Sequence, residues 1–189
     1  MGIPMQRKAI YRDDEFEIRP LDVSEAPALC EAVQSSLNEI GRWETWCTES
    51  FSLEDASNFL QFAETDWAAK NSFNFNIIAI KTGLIVGAVA INCINHRNQM
   101  ANVGYWVRTD HTRRGIAVLA AKTIVRFAFD RLGLTRLEIV MQEGNLGSQR
   151  VAEKLGAQFE TLARHRLVYR GEPRAAKIFS LIPEDIISA

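Results

Sequence analysis

Three strand-like runs in close succession, Asn74–Ile80, Leu84–Asn92 and Met100–Val107, lead into one long helical run, Gly115–Leu132, and then into a further strand-like run, Arg136–Met141. This ordering constrains the fold more than any other feature. A short link such as Lys81-Thr82-Gly83 joins antiparallel neighbours, whereas a strand–helix–strand passage joins parallel ones. Phe16–Pro20 reads as a strand ahead of this block. Gln158–Tyr169 and Ala175–Ile182 read as closing strands around the turn Arg170-Gly171-Glu172-Pro173. The resulting order, βααβββαβαββ, predicts an α/β (α+β) architecture: a mixed, mostly antiparallel central sheet of about seven strands with helices on both faces.

The helices carry their own signals. Asp22 or Ser24 can cap a first helix carrying Leu29, Val33 and Leu37, with Pro27 tolerated near its first turn. Ser52 and Asp55 form a capping-box pattern ahead of the stripe Leu53, Ala56, Phe59, Ala63 and Trp67. Between these helices lies an aromatic connector, Gly41-Arg42-Trp43-Glu44-Thr45-Trp46. In the long helix, Lys122, Arg126 and Asp130 mark a solvated face, Leu119, Ile124, Phe127 and Phe129 cover much of the rest, and Gly133 fits a C-cap. Ser148–Leu155 reads as a short helix stopped by Gly156.

With 189 residues the chain is expected to form a single domain, 1–189, with the polar segment 1–14 as a flexible tail and no signal peptide. A net charge of −1 gives no electrostatic support for nucleic-acid or membrane-surface binding, and no apolar run has transmembrane length. Cys30, Cys47 and Cys93 are widely spaced and odd in number, which fits a reduced, cytoplasmic setting without a disulfide framework. His96, His111 and His165 lack metal-ligand spacing, so no metal is expected.

Two stretches carry the chemistry. Thr112-Arg113-Arg114-Gly115-Ile116-Ala117 follows a strand and opens the long helix. The first N–H groups of a helix form an anion site; Gly115 permits close backbone approach, and Arg113 and Arg114 can fork onto phosphate. No Gly-Lys-Ser/Thr follows, and the second and third glycines of a dinucleotide fingerprint are missing. A basic loop ahead of a helix is the plainer alternative. In Asn145-Leu146-Gly147-Ser148, either polar residue can simply cap the next helix. Alternatively, Asn145 can hydrogen-bond an extended amide ligand and Ser148 can give a proton to a leaving thiolate. Cys47 and His111 could suggest an acyl-cysteine enzyme, but nothing in the sequence brings them together. Trp43 and Trp46 either line an acceptor pocket or plug the gap between helices.

Thr112–Ala117 resembles the Gln/Arg-x-x-Gly-x-Gly/Ala motif of the GNAT superfamily of acetyl-CoA-dependent N-acetyltransferases, departing at Thr112. Asn145, Ser148, Glu153, Lys154 and Gly156 match that family's second region, with Ala157 in place of phenylalanine. The element order fits from Phe16 to Ile182. Glu17–Leu21, Arg42-Trp43-x-x-Trp46 and Gly104-Tyr105-Trp106-Val107 look like the ribosomal-protein N-terminal (alanine/serine) acetyltransferase group. The resemblance implies acetyl-CoA as co-substrate. Val107 and Arg108 main chain would pair with its pantetheine, Arg113, Arg114, Gly115, Ile116 and Ala117 would hold its pyrophosphate, and Asn145 would contact the pantetheine arm. Ser148 would be the general acid, and Val107 main chain would steady the thioester oxygen. Asn102 stands where many relatives carry glutamate, which leaves Glu138 and Glu44 as candidate bases.

Direct attack requires a neutral amine. A lysine amine, at about 10.4, is mostly protonated near neutrality, whereas an α-amino group at about 7.7–8.0 already supplies a neutral fraction. The expected acceptor is therefore a protein or peptide N-terminus, plausibly of a ribosomal protein. Small amines, a non-catalytic acyl-CoA-binding module and a general nucleotide-phosphate binder are the alternatives. A homodimer is expected by analogy alone.

Overall fold

The computed structural model describes residues 8–187. Eight strands form one sheet in the order β1-β2-β3-β4-β5-β6-β8-β7. They are β1 (Tyr11–Arg12), β2 (Phe16–Pro20), β3 (Phe73–Ala79), β4 (Leu84–Asn95), β5 (Met100–Val107), β6 (Arg136–Gln142), β7 (Gln158–Tyr169) and β8 (Glu172–Leu181). Every neighbouring pair is antiparallel except β5–β6. The six helices are α1 (Ala26–Gln34), α2 (Leu37–Ile40), α3 (Leu53–Ala69), α4 (Ile116–Leu132), α5 (Leu146–Lys154) and α6 (Pro183–Ile187). None of them is long and apolar enough to cross a membrane.

The mixed sheet and long crossover helix agree with the sequence reading. The extra strand, β1, falls within the segment expected to be a flexible tail. Tyr11 and Arg12 pair with Ile18 and Glu17, so that part of the tail is anchored; residues 1–7 lie outside the described residues. The first helical stripe divides as well. Helix α1 ends at Gln34, and the buried Ser36 hydroxyl accepts the Thr109 N–H at 3.0 Å before α2 restarts the chain. Asp22, not Ser24, is the cap, but of a 3-10 turn, Val23–Glu25, that leads into α1; it accepts the Ser24 N–H within a capping box to Glu25, and no side chain caps α1 itself. Ser52 and Asp55 form the expected box at α3.

Strand alternation divides the core between the two faces. On one face Ile77, Val89, Val103, Leu137, Ile139 and Phe179 pack with Ile116, Ala120, Ile124 and Phe127 of α4. On the other, Ile78 and Ile85 pack with Leu29, Val33, Ala56 and Leu60 of α1 and α3. Phe73 and Phe75 meet Phe127 and Trp67 edge to face, with centroids 5.0–5.8 Å apart. Beyond β6, an ionic network ties three strands together. Arg136 reaches Glu138 at 2.9 Å and Glu160 at 2.6 Å, and Ser180 donates to Glu160 at 2.6 Å.

Two tests follow from this packing. Phe75 is fully buried among rings that cannot collapse inward together, so Phe75→Ala should cost about 3–5 kcal/mol in chemical denaturation. The Arg136 guanidinium, and then the Ser180 hydroxyl, draw the Glu160 carboxyl down to about 2 from an ordinary 4.5. A depressed folded value means this stabilisation is complete above 4.5 and is lost as pH falls through about 2. Glu160→Gln should flatten the stability curve across that window. Because Glu160 is partly exposed, the variant should cost about 1 kcal/mol or less at neutral pH.

Candidate active site

Strands β5 and β6 pair over only three positions, Met100–Asn102 against Arg136–Glu138, and then diverge. Asn102 sits where they part. Its side-chain oxygen accepts the Val140 N–H at 3.3 Å, and its amide nitrogen donates to Asn92 Oδ1 at 2.9 Å. One edge of β5 is held by β4, because Arg108 N–H donates to Val86 O at 2.9 Å and Trp106 stands opposite Ala88. Antiparallel alternation then turns the Val103 carbonyl and the amide groups of Tyr105 and Val107 away from β4 and into the opening. The site is a fork inside the sheet, lined by peptide groups that have lost their neighbouring strand.

The mouth of the fork meets the start of α4. Gly115, the N-cap, has φ +80°, and no side chain caps this helix. A Cβ at Gly115 would touch nothing within 4 Å, so the left-handed backbone, not space, calls for glycine here. Arg113 is also left-handed, at φ +63°, while Arg114 between them is not. Such alternation curls successive N–H groups toward one side and makes an anion-binding nest. Arg113 and Arg114 are exposed beside it. Ile116 is buried, so its main chain alone can serve a ligand, and Ala117 keeps the first turn narrow. Thr112 hydroxyl donates back to Thr109 O at 2.9 Å, so it braces the preceding turn.

On the α5 side of the fork, Tyr105 hydroxyl lies 3.0 Å from Ser148 Oγ and donates to Ser148 O at 3.1 Å. Burial pushes the Tyr105 phenol up to about 12, partly offset by the Ser148 hydrogen bond. It therefore remains a proton-bearing phenol at ordinary pH. Asn145 is the N-cap of α5, its side-chain oxygen accepting the Ser148 N–H at 3.1 Å. Helix α5 thus begins at Leu146, two residues ahead of the expected start.

The opposite face carries the aromatic connector. Gly41 allows it to turn back tightly; a Cβ there would stand 2.5 Å from Cys47 O and 2.7 Å from Leu37 O. Gln142, the last residue of β6, donates to Trp43 O at 2.7 Å, and Tyr169 hydroxyl donates to Gly41 O at 2.7 Å. Trp43 is half-buried beneath the Arg42 guanidinium, 5.1 Å from its ring centroid. Trp46 is more open and packs against Phe51 at 6.0 Å. Glu44 is an exposed residue whose carboxyl is nonetheless desolvated beneath the connector, which raises it, with a Trp46 side-chain hydrogen bond working against the rise.

Several sequence expectations change in detail. The Arg108 N–H is engaged by Val86 and turned away from the fork, while Val107 faces it. The buried Arg108 side chain is held by Glu31 at 2.5 Å and Asp110 at 3.0 Å. Glu138 is ion-paired with Arg136 at 2.9 Å and Arg166 at 3.7 Å. Burial, followed by the nearby Glu44 charge, raises the Cys47 thiol, and His111 is bonded to Asp110 at 2.7 Å. Tyr105 was not singled out from the sequence. Its strand position gave it an inward face, but no local signal paired it with a serine 43 residues away.

Comparison with known proteins converges with this geometry. The family profile described as an acetyltransferase (GNAT) domain matches residues 15–158. YdaF of Bacillus subtilis, provisionally named a ribosomal N-acetyltransferase, is 26% identical over 178 residues, covering 92% of this chain and 94% of that protein. A Vibrio cholerae protein, provisionally named a ribosomal-protein-serine acetyltransferase, has a solved structure with a TM-score of 0.81. It is 34% identical, with 95% of this chain and all of that one covered. RimL, a ribosomal L7/L12 α-N-protein acetyltransferase solved with coenzyme A, shares the fold at a TM-score of 0.84 and 20% identity, over 93% of this chain and 98% of that one.

Proposed function

This chain belongs to the GNAT acetyltransferases, with acetyl-CoA as acetyl donor, and we propose that it acetylates the α-amino group of a protein or peptide N-terminus. The observation that carries the chemistry is the Tyr105–Ser148 pair beside the fork. The names borne by the relatives support the choice of a protein acceptor, of the kind found in ribosomal proteins.

The residues present fit the donor. The uncapped start of α4, the Arg113–Gly115 nest and the two exposed arginines suit a pyrophosphate. The main-chain groups of Val103, Tyr105 and Val107 suit the amides of a pantetheine arm, which take the place of a strand partner. Asn145 contributes through its side-chain NH2, since its oxygen serves the helix cap. When bound, acetyl-CoA supplies an activated acetyl group and a thiolate leaving group.

The chain supplies orientation and proton management. As the acceptor nitrogen forms its bond to the acetyl carbon and the carbon–sulfur bond breaks, one proton must leave nitrogen and one must reach sulfur. Ser148 Oγ delivers the latter and regains a proton from water, and Tyr105, whose own proton goes to Ser148 O, accepts from the hydroxyl and holds it in position. Val107 N–H steadies charge on the acyl oxygen. Glu44 receives the amine proton through water, since desolvation raises its affinity for protons and, among the described residues, no arginine lies within 4.0 Å of it. Glu138, committed to Arg136 and Arg166, acts as a positioning group for β6 and β7.

Coupled acetyl transfer to peptides and isothermal titration with acetyl-CoA test this reading. Ser148→Ala should lower kcat about 100-fold while leaving the coenzyme Kd within about twofold. Tyr105→Phe should lower kcat about tenfold, the loss of one hydrogen bond. An unchanged kcat in Ser148→Ala would remove it from proton transfer, and turnover confined to small amines would overturn the protein acceptor. The pH profile of kcat/KM should rise as the α-amine deprotonates and level off above about 8. It should show no loss from Tyr105 until the phenol ionises, near 12.

A further inference from the structure

Beyond the end of β6 the sheet is not regular. Ala163 of β7 faces Ala176 of β8, and Leu167 faces Arg174, so Arg164, His165 and Arg166 stand against Ala175 alone. His165 at the centre of this bulge is left-handed, with φ +52°. A non-glycine residue in that region is strained, and bulges of this kind re-aim side chains beside functional sites. The bulge forms one wall of an open cleft of about 580 Å3, lined by Gln142, Glu143, Arg164, His165, Tyr169 and Arg174, among others. A second recess, of about 470 Å3, is lined by Arg164 and His165.

This cleft adjoins the acceptor side of the fork. Gln142 and Tyr169 in its lining are the two residues that hold the connector through Trp43 O and Gly41 O. Its charge is uneven. Arg166 is paired with Glu138, but among the described residues no carboxylate lies within 4.0 Å of Arg164 or Arg174. Both guanidiniums are permanently charged, and a concave wall concentrates their field. The one carboxylate in the lining, Glu143, directly follows β6, and its N–H donates to Ala175 O at 3.3 Å. Because Gln142 faces Ala176, Arg174 lies two residues farther along β8, past the end of β6. The lining therefore sets two guanidiniums without a carboxylate partner against a single carboxylate, and its balance is basic.

Resting on the acyl-transfer reading above, we propose that the acceptor is a peptide N-terminus followed within its first few residues by aspartate or glutamate. The amine end enters the fork, and Arg164 and Arg174 receive the acidic side chains. An open cleft, unlike a closed cavity, lets the rest of the peptide continue into solvent.

A set of peptides with a common first residue, carrying acidic, amide or lysine side chains at positions three to five, tests the assignment. Acidic peptides should be acetylated with a kcat/KM about fivefold above the amide peptides, chiefly through KM, as two part-exposed ion pairs allow. Added salt should narrow the gap. Arg164→Gln/Arg174→Gln, checked by thermal melting for a native fold, should bring the acidic-to-amide ratio close to one. Equal rates on all three peptide classes would overturn the inference while leaving acyl transfer intact. Transfer to free acidic amino acids but not to peptides would overturn the peptide occupant. Absence of both acetyl-CoA binding and transfer to any amine would overturn the underlying reading, and this inference with it.

Discussion

The separation of β5 from β6 is the constraint on which the rest of the molecule depends. A parallel pair normally continues as long as both strands do, because an amide left unpaired in a sheet interior is costly. Here pairing stops after Asn102 and Glu138 although both strands run on. The Asn102 side chain ends the ladder by taking the Val140 N–H for itself. Val103, Tyr105 and Val107 are left facing an opening suited to an extended chain of amides. Helix α4, which connects the two diverging strands, begins with unsatisfied N–H groups at the mouth of that opening. Topology therefore supplies an amide-pairing edge and an anion site together.

Strand alternation then assigns different tasks to the two faces. Tyr105 turns toward α5 and meets Ser148, while Trp106 packs on the opposite face with the α1–α3 core. Arg108 closes β5, its buried guanidinium bonded to Glu31 of α1 and to Asp110 in the next turn. Ser36 binds the Thr109 amide from the same side. These contacts fix the turn that leads into the anion nest, so the break between α1 and α2 is tied to the site. The connector is anchored in turn by Gln142 and Tyr169, placing Trp43 and Glu44 on the acceptor side.

Features set by local chemistry were legible in the sequence. Gly115 and the two arginines ahead of it, the Ser52–Asp55 box, the Gly133 C-cap and the hairpin at Lys81–Gly83 depend on neighbours a few residues apart. The order of strands and helices fixed the sheet type for the same reason. What escaped were decisions made across the fold. The pairing of Tyr105 with Ser148 and the bulge at Arg164–Arg166 have no local signature, since hydrogen-bond register decides both. Arg108 was read as facing the ligand, yet the alternation of a two-edged strand turned its amide toward Val86 and left that role to Val107. Tyr11 and Arg12 are polar enough to read as tail, but β2 offers them an open edge.

Asn102 also explains why proton removal must be managed elsewhere. At this position one side chain donates to Asn92 and accepts from Val140. A carboxylate could accept but could donate only when protonated, and a protonated carboxyl is no base. The residue that ends the ladder therefore cannot also serve as the base. Glu138, its neighbour across the strand pair, is held between Arg136 and Arg166. Glu44, the base of the proposed reading, is not so committed: its residue is exposed, and desolvation of its carboxyl beneath the connector favours the protonated form. The proposed acceptor suits this arrangement: an α-amino group gives up its proton about two to three pH units below a lysine. In the proposed reaction one raised carboxyl acting through water then serves as the base, and the fork is free to carry an amide at its apex.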